Sequence, residues 1–215
     1  MSFCENIKEE IQKADCRNKN CSLAFISGFA AFTLSVENEK AAFLADGEEI
    51  GKRMSYLMKK QFSIGDGSLS RAYVGRGGKC YKLSYEKEET KKILSALSDK
   101  NEGREDGFFV DYERFSTTDE MRHFVMGAFL GGGFAADPYK IYHLEFVAKR
   151  ERALDELGYI FSEFGEIQKR VVRNGYYVMY FKSYDSLENI LNILGAHKSM
   201  MELFNIKIEK EEKNL

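Results

Sequence analysis

Two segments of the chain are apolar on almost every side, and each has a glycine near its middle. The first spans residues 23–32 and contains Gly28, and the second spans residues 125–131, contains Gly127 and lies in a predicted helix that runs from residue 119 to about residue 132. A helix without a polar face has to be buried on several sides. The pattern therefore predicts two central helices, one in each half of the chain.

After the first central helix, segments in which apolar residues recur every second position alternate with segments in which they recur at helical spacing. They predict a hairpin, a helix, a second hairpin and a second helix, at residues 33–44, 46–61, 70–85 and 87–97. A similar order returns after the second central helix: a strand, a helix, a hairpin and a last helix, at residues 142–147, 149–164, 167–181 and 186–194. Residues 2–13 add an amphipathic helix with Ser2 as its N-cap, and Thr118 is predicted to cap the second central helix.

The repeated order predicts a duplication rather than a set of unrelated elements. We predict an α+β fold with a pseudo-twofold, duplicated α-β-β-α-β-β-α plan. Residues 1–100 form the first half and residues 118–206 form the second. Residues 101–117 are polar and glycine-spaced, which is typical of a linker, and residues 207–215 form a charged tail.

The composition is typical of a packed protein kept in a reducing compartment. Hydrophobic residues make up 44% of the chain, and there is a single proline, whereas disordered chains are poorer in apolar residues. The four cysteines have no regular spacing, which fits a compartment that keeps thiols reduced. No apolar run approaches the roughly 18 to 20 residues that a membrane span needs. These features predict a cytoplasmic protein with no membrane partner.

The sequence predicts neither a metal nor a cofactor. Cys16 and Cys21 lie near each other, but a zinc site needs about four ligands in paired spacings. The three histidines are scattered singly along the chain and do not complete such a set. The cysteines are therefore interpreted as ordinary thiols.

The duplicated plan, entered by a buried glycine-bearing helix, resembles that of the LAGLIDADG homing endonucleases. In that family the two named helices pack against each other at the pseudo-twofold axis. The resemblance implies that Gly28, Gly127 and Gly131 lie in this interdomain helix packing, where glycine allows two backbones to approach closely.

A closer resemblance lies in the second half. Residues 122–145, which read RHFVMGAFLGGGFAADPYKIYHLE, and residues 194–197, which read LGAH, resemble the WhiA family, as does the start MSF. WhiA proteins are bacterial regulators of sporulation and cell division in which an endonuclease-like domain precedes a DNA-binding helix-turn-helix. This chain ends at Leu215 without such a segment. The resemblance therefore implies that the main DNA-binding domain, the helix-turn-helix, is not part of this chain.

The resemblance also gives a test for nuclease chemistry. A homing nuclease uses the last acidic residue of each named helix to hold divalent metal over the phosphates, because carboxylate oxygens suit Mg²⁺. Alignment on the two glycines puts Thr33 and Gly132 at these degenerate metal positions, and neither is acidic. We therefore predict no catalytic residue and no bound metal. Asp137, a nearby acid, is interpreted as a turn residue.

Positive charge is concentrated in one hairpin of each half. The net charge of −2 gives the chain as a whole no attraction for phosphate. Two hairpins nevertheless carry four basic residues each and no acid: Arg71, Arg76, Lys79 and Lys82, and Lys169, Arg170, Arg173 and Lys182. Because the sheets of LAGLIDADG proteins straddle DNA, the resemblance implies that these residues contact DNA. The alternative is that they only protect exposed edge strands from association.

Three functions stay open. The leading one is the catalytically inactive endonuclease-fold domain of a DNA-binding transcriptional regulator of sporulation and cell division, associated with the nucleoid. Its partners are double-stranded DNA, mainly through a helix-turn-helix domain outside this chain, and a transcription-factor protein. The second is a protein-interaction module that docks a transcription partner without contacting DNA. The third is an active metal-dependent homing endonuclease that uses other acids.

Overall fold

Helices and strands alternate in the computed structural model, which describes residues 2–74, 78–98 and 114–213. Before residue 99 the elements are α1 (Phe3–Gln12), α2 (Lys19–Thr33), β1 (Leu34–Glu37), β2 (Lys40–Ala45), α3 (Glu48–Phe62), β3 (Ser68–Val74), β4 (Gly78–Tyr85) and α4 (Lys87–Leu97). From residue 114 onward they are α5 (Thr118–Gly132), β5 (Gly133–Ala135), β6 (Leu144–Ala148), α6 (Glu151–Glu163), β7 (Lys169–Arg173), β8 (Tyr176–Phe181), α7 (Tyr184–Ile193) and α8 (His197–Lys213). The order α-β-β-α-β-β-α therefore occurs twice, from α2 to α4 and from α5 to α7.

Two compact units divide the chain. One runs from Asp15 to Gly132, and the other combines Met1–Ala14 with Gly133–Leu215. The first unit contains an antiparallel sheet of strand order β1-β2-β4-β3, and the second contains one of order β5-β6-β8-β7. The same strand order in both sheets confirms the predicted duplicated α+β fold. Within the described residues, no helix is both long and apolar enough to cross a membrane.

The helix α5 lies in the same compact unit as α2, although it opens the second half of the sequence repeat. The cause is the extensive packing of α5 on α2. The predicted halves, residues 1–100 and 118–206, follow the sequence repeat and not these compact units. As domain boundaries they stay a prediction. Residues 101–113 of the predicted linker lie outside the described residues. Residues 207–213, predicted as a charged tail, continue α8 as a helix.

Local hydrogen bonds explain where α1 and α5 begin. At α1 the prediction of Ser2 as N-cap is confirmed, since its hydroxyl accepts the Glu5 N–H at 3.3 Å while the Glu5 carboxylate accepts the Ser2 N–H at 2.6 Å. At α5 the cap is Thr117, whose hydroxyl accepts the Glu120 N–H at 3.2 Å. The predicted cap Thr118 is wrong by one residue, because Glu120 stands three positions after Thr117 and completes a capping box with it.

The capping carboxylate Glu120 should make stability depend on pH. Burial raises the pKa of this carboxyl, but hydrogen bonds from the backbone of Thr117, the side chain of Asn20 and the backbone of Ser116 lower it below its ordinary value of 4.5. A lowered pKa in the folded protein stabilises it above the unfolded value, and this contribution is lost as the pH falls through the folded value. We expect Glu120→Gln to cost about 1 kcal/mol at neutral pH.

Urea denaturation across the acid range tests this expectation. The difference in stability between wild type and Glu120→Gln should shrink as the pH falls below 4.5. Asp119→Asn, an exposed change in the same helical turn, serves as the control for removing a carboxylate there. A wild-type and a Glu120→Gln curve that stay parallel down to acid pH would contradict the assignment.

The first sheet has one face packed on helices and one open face. The row Leu69, Leu83 and Phe43 belongs to the packed face, where the Phe43 ring stacks on Phe29 of α2 at 6.3 Å. The open face carries the next cross-strand rows: Ser70, Lys82 and Leu44, and Ser68, Ser84 and Ala42. Its side chains are small or polar, with the exception of Leu44.

The second sheet is divided in the same way. The ring of Phe146 packs edge-on against Phe161 of α6 at 5.5 Å, which defines the packed face. Glu145 alternates with Phe146 along β6 and therefore points to the open face. The open face carries the cross-strand row Lys169, Tyr180, Glu145 and Phe134.

Candidate nucleic-acid interface

The glycines of α2 and α5 bring the two helix backbones into contact. A Cβ atom added to Gly28 would lie 2.0 Å from the Phe124 carbonyl oxygen, and one added to Gly127 would lie 1.9 Å from the Phe25 carbonyl oxygen. Real Cβ atoms do not approach backbone this closely, so only glycine fits either position. At Gly131 the nearest atom, Cγ2 of Thr33, would be 3.0 Å away. The structure therefore places Gly131 at a looser part of the same contact.

The ends of these two helices hold the residues that replace the acids of a homing nuclease. Thr33 ends α2 and lies beside Gly131, one residue before the end of α5 at Gly132. The Thr33 side chain is buried, and its hydroxyl donates to the Phe29 carbonyl oxygen of its own helix at 2.7 Å. Gly132 has no side chain to offer. Neither position supplies a carboxylate oxygen, which is the ligand type that Mg²⁺ prefers.

Acids and thiols elsewhere in the described residues do not form a group of three or more that could hold a metal ion. Asp137 follows β5, and its carboxylate accepts the Tyr139 N–H at 3.0 Å. Its backbone oxygen accepts the N–H groups of Lys140 and Ile141. This geometry agrees with the interpretation of Asp137 as a turn residue.

The basic residues of the first sheet point in different directions. Lys82 pairs with Ser70 and lies exposed on the open face. Arg71 pairs with Tyr81 and therefore lies on the packed face. Its positive charge makes a minor contribution to lowering the pKa of Glu48, which is lowered mainly by the hydrogen bond from Lys52.

The structure describes one of the other two predicted DNA contacts of this hairpin only in part, and the second not at all. Arg76 lies outside the described residues. For Lys79 the structure describes the backbone, which pairs with Tyr73 in the hairpin. Lys82 is therefore the predicted DNA contact that the structure places on the open face of the first sheet.

In the second sheet, the Arg170 side chain lies on the packed face and contacts α6. Its guanidinium forms an ion pair with Asp155 and donates to the Leu154 carbonyl oxygen at 2.9 Å, both on α6. Gly158 leaves room for it, since a Cβ there would lie 2.3 Å from Nη2 of Arg170. Its basic charge is therefore directed to α6 and not to the open face.

Arg173 belongs to a cluster on the open face of the second sheet. Its Nη2 donates to Oε1 of Glu145 at 3.0 Å, while Nε2 of His143 lies 2.9 Å from Oε2 of the same carboxylate. The His143 ring stacks on Tyr180, and Nζ of Lys182 lies 4.9 Å above the Tyr180 ring. Glu145 is only 8% exposed and is paired with Arg173, so the outward side of the cluster is basic and aromatic.

The sequence prediction of this cluster was incomplete. It included Arg173 and Lys182 but missed His143, Glu145 and Tyr180. The sequence does indicate that His143 and Glu145 lie together. They are two residues apart at the start of a strand, so their side chains share one face. Lys169 and Lys182 are exposed on this face, and among the described residues no carboxylate forms an ion pair with either.

Comparison with known proteins gives one consistent group of relatives. The family model described as "WhiA LAGLIDADG-like domain" matches residues 121–213. The chain is 31% identical to the "Probable cell division protein WhiA" of Clostridium acetobutylicum over 226 residues, covering 100% of this chain and 71% of that protein. The protein of the same name from Clostridium tetani is 27% identical and is covered to 70%.

Solved structures are similar over most of the fold. Full-length DUF199/WhiA from Thermatoga maritima superposes with a TM-score of 0.74 and 19% identity, over 98% of this chain and 67% of that chain. The homing endonuclease I-DmoI, in a crystal structure with DNA and Mn, gives a TM-score of 0.51 at 13% identity, over 82% of this chain and 97% of that chain. At these identities the likeness is one of fold.

Proposed function

The chain belongs to the WhiA family, and from this premise we propose that it is the catalytically inactive, DNA-contacting part of a transcriptional regulator of cell division and sporulation. Relatives that match it over its whole length are named cell division proteins. The observation that carries the proposal is that both sheets keep exposed lysines on their open faces while the two helix ends have no carboxylate.

The chemistry of the helix ends supports the lack of nuclease activity. Phosphodiester hydrolysis of the homing-endonuclease type needs divalent metal to stabilise the charge that develops on the phosphate. Carboxylates are the side chains that hold such an ion. Thr33 uses its hydroxyl within α2, and Gly132 offers no ligand atom. The residues present do not fit a metal at this position.

The open faces of the sheets support contact with DNA. Lys82 on the first sheet and Lys169 and Lys182 on the second can each neutralise a phosphate, which is the sequence-independent part of DNA binding. Arg173 is held by Glu145 but is still more than half exposed, at 58% of its side chain. I-DmoI, which shares the fold, has been crystallised with DNA. A regulator that uses these faces would be found on the nucleoid.

A DNA-binding measurement with single lysine changes tests the proposal. We expect the 215-residue chain to bind duplex DNA weakly, with an affinity that falls as salt is added, because phosphate contacts release counterions. Lys82→Ala, Lys169→Ala and Lys182→Ala should each weaken binding and lower the slope of log affinity against log salt by about 1. Fluorescence anisotropy with a labelled duplex gives both quantities.

Two controls separate DNA contact from general charge. Lys52→Ala removes a lysine that pairs with Glu48 and Glu49 on α3, and it should leave the salt slope unchanged. Supercoiled plasmid incubated with Mg²⁺ or Mn²⁺ should stay intact in the presence of the wild-type protein. Metal-dependent cleavage that survives stringent purification, or lysine variants that bind like wild type, would contradict the proposal.

A further inference from the structure

The C-terminal helix α8 has apolar residues on two opposite sides. Leu203 and Ile206 are buried on its inner side. Met201, Phe204 and Ile208 are exposed to 54%, 44% and 39%. At roughly 100° per residue these three lie in one row, opposite to the buried pair. Single exposed apolar residues are ordinary, but a row of three at helical spacing marks an interaction surface.

The lysines in the middle of α8 are directed towards the body of its own unit. Nζ of Lys207 lies 4.0 Å from the centre of the Tyr184 ring. Nζ of Lys210 lies 4.4 Å from the centre of the Tyr142 ring and donates to the Pro138 carbonyl oxygen at 2.7 Å. These contacts remove two positive charges from the outer side of the helix.

The charges that border the apolar row are mostly carboxylates. Glu211 and Glu212 are exposed and follow Phe204 and Ile208 at helical spacing. Lys198 and Lys213 stand near the two ends of α8, where Lys213 forms an ion pair with Glu209 at 4.0 Å. The outer face of α8, defined as Met201, Phe204, Ile208, Glu211 and Glu212, is therefore apolar and acidic.

An open cleft of about 620 Å³ lies beside this face. It is lined by the apolar side chains of Met201 and Ile206, the ring of Tyr139, the carboxylates of Glu202 and Glu209, and Asn205, with His197 and Lys198 at the end near the start of α8. The hydroxyl of Tyr139 donates to Glu209 at 3.3 Å, which holds the ring against α8. The cleft extends the apolar surface of the outer face and gives a partner side chain a place to enter.

We propose that the outer face of α8 and its cleft dock a basic amphipathic helix of a partner protein. The apolar row, at spacing i, i+3 and i+7, forms a stripe along α8 against which the apolar face of a second amphipathic helix can pack. The carboxylates complement lysine or arginine on the flanks of that helix, which is how charge selects a partner. The same carboxylates repel nucleic acid and anionic membranes. A second copy of this face would bring like charges together.

A pair of synthetic helices tests the proposal on the whole chain. Both carry leucine at anchor spacing and a fluorescein label, and they differ in having lysine or glutamate at all other positions. We expect the lysine helix to bind with an affinity that falls with salt, and the glutamate helix to bind at least about tenfold more weakly. Phe204→Ser should weaken binding of the lysine helix by about tenfold or more.

The control variant is Tyr56→Ser, which removes a similarly exposed aromatic ring from α3. It should bind the lysine helix like wild type. A second variant, Glu212→Lys, should weaken binding without removing any apolar surface. Equal binding of both helices, or equal affinities for Phe204→Ser and Tyr56→Ser, would overturn the proposal. So would a wild-type dimer, or adsorption to anionic phospholipid vesicles, that Phe204→Ser abolishes.

Discussion

Gly127→Ala is expected to destabilise the protein by about 3 kcal/mol or more, because overpacking that a core cannot relieve is among the costliest single changes. The added Cβ would lie 1.9 Å from the Phe25 carbonyl oxygen and 2.8 Å from the Phe29 backbone nitrogen. Backbone cannot rotate away as a side chain can, so α2 and α5 would have to separate. The better helix propensity of alanine, worth about 1 kcal/mol, does not offset this. Chemical denaturation measures the loss.

Two other glycines provide a graded comparison. Gly131→Ala should be milder, since its nearest neighbour would be 3.0 Å away and belongs to the Thr33 side chain. Gly47→Ser should be close to neutral, because nothing lies within 4 Å of a Cβ there, the backbone is extended, and serine is a good N-cap. If all three variants lost the same stability, the helix contact would not be the cause.

The repeat could be predicted from the sequence because its strongest signals are local. Each central helix has a long apolar stretch, and the predicted cap of the second lies one residue from the observed one. The hairpin between β7 and β8 turns at Asn174 and Gly175, where both residues have positive φ angles of 53° and 77°, as this dipeptide predicts. Such features depend on a few neighbouring residues, so they survive in any tertiary context.

Elements that depend on distant partners were missed. The short strand β5 has three residues, Gly133, Phe134 and Ala135, and pairs with β6; nothing in its own sequence indicates a strand. The helix α8 was missed in a similar way. Its charged end read as a tail, but Leu203 and Ile206 are buried by the rest of its unit.

The candidate interface could be predicted to the level of the hairpin but not of the side chain. A basic hairpin identifies two strands, whereas strand register decides which face each residue occupies. Arg170 follows Lys169 directly, so the two side chains point to opposite faces of the second sheet. Arg71 and Lys82 are separated in the same way in the first sheet. Register is set by pairing with β4 and β8, which composition alone does not encode.

The contact between α1 and α8 joins residues far apart in the chain and could not be predicted from either helix. Oε2 of Glu10 accepts the Lys198 N–H at 2.8 Å, and Oε1 accepts both the Ser199 N–H at 2.9 Å and the Ser199 hydroxyl at 2.6 Å. Helix N-termini leave N–H groups without partners inside the helix. Glu10 therefore caps α8 from another helix, at the positive end of its dipole.

Glu10→Ala is expected to cost about 2 to 3 kcal/mol, because it leaves two backbone N–H groups and the Ser199 hydroxyl without this acceptor. The stability of Glu10→Gln should fall between those of wild type and Glu10→Ala, since an amide keeps one acceptor oxygen but loses the charge.

Amide hydrogen exchange of Glu10→Ala should be faster than in wild type at Lys198 and Ser199, while α2 and α5 keep their protection. Glu9→Ala, next to it, only removes the exposed ion pair with Lys13, so its effect should be much smaller. Equal losses for Glu9→Ala and Glu10→Ala would mean that the carboxylate of Glu10 does not hold α8 in place.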